Sequence, residues 1–196
     1  RFRTLGPCPK TWMSIIWLVP RSAYDHILRT GRNFMSRLDS VIRRLTAQRI
    51  CLGHVADLIA SVPGPVLELG LGNGRTYDHL REILPEREIF AFDAQVTAHP
   101  KSTPDDDHLI LGDFSSTLPN ALSFMGAPAA LAHADFGSTG DEAVNKATSA
   151  FLSQVLQKLM APGGVIVSDQ VLELDGWSIQ PLPEGVLEDR YFILRA

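Results

Sequence analysis

The stretch Val66-Leu67-Glu68-Leu69-Gly70-Leu71-Gly72-Asn73-Gly74-Arg75-Thr76 joins an apolar run holding one acid to three alternating glycines and a helical pattern. Alternating glycines let a backbone turn sharply and approach a ligand closely, because no Cβ intervenes. The helix start behind them offers unpaired N–H groups and a positive dipole end to an anionic group. The unit reads as a cofactor cradle. Four more acids end apolar runs downstream: Asp93, Asp113, Asp135 and Asp169. If those runs are strands of one open parallel sheet, the carboxylates collect at the rim where such sheets bind ligands. Like charges so gathered are costly without a partner.

The elements that must position these residues follow from periodicity. Ser36 to Ser61 has helical spacing, with Leu38, Val41, Ile42, Leu45, Leu52, Val55, Leu58 and Ile59 on one face. Pro63-Gly64-Pro65 stops that helix ahead of the first strand. Thr76 to Leu84 is a helix ended by Pro85. Glu88 to Asp93 is a second strand and Leu109 to Leu111 a third. A short helix over Leu118 to Met125 leads to a fourth strand near Ala130 to Ala134. Asp141 to Met160 is a helix closed by Pro162-Gly163-Gly164, and Val165 to Ser168 is a fifth strand. Trp177 to Gln180 and Arg190 to Leu194 form a final antiparallel pair. Strands alternating with helices predict an α/β fold: a mostly parallel sheet, helices on both faces and a C-terminal antiparallel hairpin.

The dinucleotide fingerprint needs G-x-G-x-x-G/A. Counting from Gly70 places Arg75 at the sixth position, and counting from Gly72 places Tyr77 there. Neither register fits. Glu68-x-Gly70-x-Gly72-x-Gly74 instead resembles motif I of class I S-adenosylmethionine-dependent methyltransferases, where an acid stands two before the first glycine. From about Ser36 onward the chain looks like a compact member of that class, with a Rossmann-like fold. It is also similar to a small bacterial family of such methyltransferases whose substrate is unassigned. The resemblance implies S-adenosylmethionine as cofactor, a ligand whose hydroxyls, amine and sulfonium cation partner the strand-end acids. It implies that Glu68, Gly70, Gly72, Asn73, Gly74 and Thr76 form the cradle. Asp93, followed by Ala94, would then take the two ribose hydroxyls. Asp113 would take the adenine amine, with Phe114 offering a ring face, and Asp135 would close the set. Leu159-Met160-Ala161-Pro162-Gly163-Gly164 resembles the L-x-P-G-G turn before the fifth strand.

Methyl transfer needs alignment above all, and a base only where the acceptor carries a proton. Asp135 is the first candidate for substrate-side work. His133, two residues earlier on the same strand face, is the second. Asp135 with Asp169-Gln170 also resembles the Asp and Asp-Asn ligands that hold Mg2+ in catechol-type O-methyltransferases. Mg2+ is thus a candidate second cofactor on Asp135, Asp169 and Gln170. Two rival readings stay open: a nicotinamide-dependent oxidoreductase, and a non-catalytic module binding S-adenosylmethionine or a nucleotide.

The 196 residues suit one domain. Residues 35–196 form the expected methyltransferase domain, and residues 1–34 a basic, weakly ordered extension. The net charge of −4 hides an asymmetry: residues 1–49 hold ten of the 18 Lys/Arg but only Asp25 and Asp39 among 22 acids. An acidic main body disfavours a grip on long nucleic acid, so the expected partner is a small-molecule methyl acceptor. Self-association is left open. Trp12 to Val19 is too short to span a bilayer. Two cysteines, Cys8 and Cys51, predict a reducing cytoplasmic setting without disulfides.

Overall fold

The computed structural model describes residues 36–137, 141–188 and 190–196; the basic extension expected over residues 1–34 lies outside the described residues. Seven strands form one mixed sheet: β1 (Val66–Leu69), β2 (Ile89–Asp93), β3 (Leu109–Leu111), β4 (Ala129–Ala134), β5 (Met160–Ser168), β6 (Ser178–Gln180) and β7 (Phe192–Arg195). Their spatial order is β3-β2-β1-β4-β5-β7-β6. The first five pair in parallel, while β7 runs antiparallel to both β5 and β6. The chain builds outward from β1 to β3 and then returns to β4, so the winding reverses between β1 and β4. That reversal is where open α/β sheets hold ligands. Leu69 of β1 pairs with Ala134 of β4, which sets Gly70 and Asp135 side by side at the rim.

Helices cover both faces, as expected. These are α1 (Arg37–Leu58), α2 (Arg75–Ile83), α3 (Phe114–Thr117), α4 (Ala121–Met125) and α5 (Glu142–Leu159). One apolar layer unites Leu52 and Val55 of α1 and Leu80 of α2 with Val66 and Val165. The other unites Met125 of α4 and Leu152 of α5 with Leu67, Phe92 and Ile166. β1 and β4 are buried along their whole length, which is why they read as continuous apolar runs and not as alternating ones. Burying one such leucine contributes about 1.5–3 kcal/mol.

Three elements depart from the expected outline. The buried face of α1 begins only at Ala47, and Leu38, Val41 and Ile42 stay exposed. Arg44 and Gln48 already reach Asp135 at the sheet rim, so the turns before them run beyond the strands. The expected helix over Leu118 to Met125 is split, because Pro119 lies in a 3-10 turn over Leu118–Asn120 that precedes α4. Pro162-Gly163-Gly164 lies inside β5 and does not close α5. The helix stops at Leu159, and Met160 is already extended. Pairing then jumps from Ala129 with Met160 to Leu131 with Val165, a bulge that leaves the proline and glycines without partners on β4.

Candidate functional site

The glycine loop leaves β1 with φ angles of 92° at Gly70, 50° at Gly72 and 76° at Gly74. A Cβ on Gly74 would overlap the Ser102 carbonyl oxygen, whereas one on Gly72 would meet nothing within 4 Å. Gly74 is therefore required by packing, and Gly72 borders open space. Asp93, half-buried at the end of β2, clips the loop in place. Its Oδ2 accepts from Gly72 N at 2.9 Å and its Oδ1 from Gln95 N at 3.2 Å. Thr97 Oγ1 donates to Gly72 O at 2.8 Å. Behind the loop, α2 starts at Gly74 with no side-chain cap, leaving first-turn N–H groups open to an anion. Asn73 and Ala94 are exposed beside this opening.

Glu68, Thr76 and His133 sit beneath the loop and away from the opening. Glu68 and His133 are fully buried. Thr76 Oγ1 donates to Glu68 Oε1, and His133 Nδ1 lies 2.8 Å from Glu68 Oε2. Burial disfavours the imidazolium, but the Glu68 carboxylate outweighs it and holds the His133 pKa above the usual histidine value. These three residues fix the loop's floor. His133, expected as a catalytic candidate, is fully buried with its ring on Glu68. Its Nε2 is buried without a hydrogen-bond partner in the described residues.

Asp113 is exposed and caps α3. Its Oδ1 accepts from Ser115 N at 2.8 Å and Ser115 Oγ at 2.6 Å. Those hydrogen bonds hold the Asp113 carboxyl below its ordinary value. Phe114 is half-buried against the second apolar layer, so it serves the core as well as the rim.

Asp135 and Asp169 meet past the ends of β4 and β5. Asp135 Oδ2 accepts from Arg44 Nη1 at 3.2 Å and from Gln48 Nε2. Asp169 Oδ1 accepts from Phe136 N at 3.2 Å, and its Oδ2 from Gly137 N at 3.0 Å. Burial, and then the neighbouring Asp135 carboxylate, push the Asp169 pKa up to about 6. A cavity of about 440 Å3 opens beside this pair, lined in part by Arg44, Asp135, Asp169, Arg190 and Tyr191. The Asp135 carbonyl lies 3.3 Å from where a Cβ on Gly70 would stand, so cavity and glycine loop adjoin. Tyr191, Arg44 and Gln48 carry no local motif; only the antiparallel return of β7 and the lie of α1 bring them here.

The residues present do not fit Mg2+. Arg44 already supplies the positive charge on Asp135, and backbone N–H groups take both oxygens of Asp169. Gln170 turns its Nε2, a donor and not a ligand, to Asp169 Oδ2 at 3.4 Å. The candidate set of Asp135, Asp169 and Gln170 is thus a hydrogen-bonded carboxylate pair beside a guanidinium.

The loop and rim do fit S-adenosylmethionine, with open space over Gly72, an uncapped helix start and a partly exposed carboxylate at Asp93. A family model described as S-adenosyl-L-methionine methyltransferase matches residues 35–196. The crystal structure of an S-adenosyl-L-methionine methyl transferase from Silicibacter pomeroyi DSS-3 is 44% identical, with a TM-score of 0.76 over 82% of this chain and 98% of that one. Streptomyces venezuelae DesVI is 18% identical, with a TM-score of 0.46 over 83% of this chain and 64% of that one. SMU.1697c from Streptococcus mutans, solved with S-adenosylhomocysteine, is 16% identical, with a TM-score of 0.48 over 74% of this chain and 96% of that one. No curated protein matches the chain. The match along residues 35–196, joined to a loop and rim that suit the same cofactor, shows that the chain belongs to the S-adenosyl-L-methionine methyltransferase family.

Proposed function

We propose that this S-adenosylmethionine-dependent methyltransferase acts on a small-molecule acceptor seated in the cavity between α1 and the ends of β4 and β5. The observation that carries the reading is that this cavity adjoins the glycine loop through Gly70 and Asp135. Its volume of about 440 Å3 is within the usual range for small-molecule sites. The cofactor supplies an electrophilic methyl group when bound. The protein holds the two partners in line, which accounts for much of the acceleration in such transfers.

In this reading the loop from Gly70 to Gly74 and the start of α2 take the cofactor's anionic end. Asp93 has lone pairs left for ribose hydroxyls beyond its bonds to Gly72 and Gln95. Asp113 offers Oδ2 to the adenine amine, and Phe114 a ring edge. Glu68, Thr76 and His133 support the loop from below. Residues 35–196 constitute the enzyme, with the basic segment before them an appendage. We infer a cytoplasmic setting from the sparse cysteines. No helix among the described residues is long and apolar enough to cross a membrane.

The acceptor class is tested with S-adenosylmethionine carrying a labelled methyl group and a cell extract divided by ultrafiltration. Label transferred to compounds in the filtrate is the expected result. Label confined to retained macromolecules would overturn the small-molecule reading.

A further inference from the structure

The cavity beside Asp135 holds a group that the fold leaves without work. Tyr191 is 1% exposed, and its hydroxyl is buried without a hydrogen-bond partner among the described residues. Buried hydroxyls are nearly always paired, because an unpaired one bears its full desolvation cost. Tyr191 lines the same cavity as Arg44, Asp135, Asp169 and Arg190. Both carboxylates raise its phenol pKa and both cations oppose them, after burial as the main cause. The hydroxyl therefore stays protonated, able to donate or accept one hydrogen bond.

The charges bias what would satisfy it. Arg44 is already spent on Asp135 at 3.2 Å. Asp169 bonds backbone N–H groups and the Gln170 amide and stands against the Asp135 carboxyl; among the described residues no cationic side chain is bonded to it. Arg190 is exposed and belongs to the solvent side of the cavity. We propose that the methyl acceptor is a small primary or secondary amine whose nitrogen sits between Tyr191 Oη and the Asp169 carboxylate. This deepens the small-molecule reading of the cavity and rests on it.

An alcohol has a pKa near that of water, about 16, far beyond a carboxylate base. A phenol and an ammonium both lie near 10, so acidity alone does not separate them. Charge does. A phenol binds neutral and brings Asp169 no cation. An ammonium brings Asp169 the cationic partner it lacks among the described residues, so the amine is selected as it binds.

The step balances. The ammonium form gives a proton to Asp169, whose carboxyl, held up to about 6, is a better base than an ordinary aspartate. The nitrogen lone pair then forms the N–C bond to the methyl carbon. The C–S bond breaks with its electron pair on sulfur, leaving S-adenosylhomocysteine. The product departs as a methylated ammonium carrying the positive charge that sulfur held, and Asp169 returns its proton to solvent. Tyr191 Oη accepts an N–H bond and aims the lone pair.

The test uses the full chain with 13C-labelled tyrosine and saturating S-adenosylhomocysteine. The chain has three tyrosines, and Tyr191→Phe identifies the signal of Tyr191. Titrating n-butylamine, n-butanol and phenol separately should move that signal at about tenfold lower amine concentration, since a bond to a charged partner exceeds a neutral one by about that factor. Asp169→Asn should erase the preference while S-adenosylhomocysteine affinity is unchanged. Equal or stronger response to phenol or butanol would overturn the amine assignment and leave the cavity as a small-molecule site. No response to any probe would overturn both.

Discussion

In the proposed reading cofactor retention turns on Asp93, which holds the glycine loop at Gly72. Hydrogen bonds to a charged group are worth about 1.5–3 kcal/mol. Asp93→Ala should therefore weaken S-adenosylhomocysteine binding by roughly 10- to 100-fold, measured by calorimetry; unchanged affinity would remove Asp93 from the site. Asp169 makes a second, pH-dependent claim. Its folded pKa of about 6 is above the unfolded value near 4, so its stabilising contribution is full below about pH 4 and is lost as pH rises through about 6. Wild type should thus lose on the order of 2 kcal/mol relative to Asp169→Asn between those limits. Urea melts at both pH values check it, and parallel curves would refute the shift. Asp93 was legible in the sequence because a strand-end acid spaced from a glycine loop is a local pattern. Glu68 was legible as important but not as buried, since its partner His133 comes from another strand. Tyr191 had no signal at all, because its meaning arises only from what packs around it.

At the scale of elements, the loop between β1 and α2 separates packing from binding. Gly74 stands against Ser102, whereas Gly72 faces open space, yet both have positive φ. Gly72→Ala should cost only about 1–2 kcal/mol of stability for the left-handed backbone, yet lose most cofactor affinity. Gly74→Ala should lower the melting temperature further, since backbone overlap is added to the strain. Equal melting temperatures for the two variants would contradict this division. The parallel strands were readable because double-sided burial leaves uninterrupted apolar runs. The bulge in β5 was not, because Pro162-Gly163-Gly164 signals a break but not which element it interrupts. The first turns of α1 read as apolar, yet Leu38 and Ile42 lie where the sheet has already ended.

For the molecule as a whole, the strand order sets the division of labour. The winding reversal between β1 and β4 brings the glycine loop beside the acid pair, and Tyr191, just before the antiparallel β7, lines the cavity proposed for the acceptor. The rim needs no metal, because Arg44 supplies the charge on Asp135. Methyl transfer should keep its full rate in EDTA, and a loss restored by Mg2+ would reinstate a cation at the rim. The most direct measurement is a crystal structure with S-adenosylhomocysteine. The expected result is ribose hydroxyls on Asp93, the anionic end at the start of α2, and sulfur facing the cavity of Asp135, Asp169 and Tyr191. A ligand seated away from the glycine loop, or with its sulfur turned from that cavity, would contradict the account.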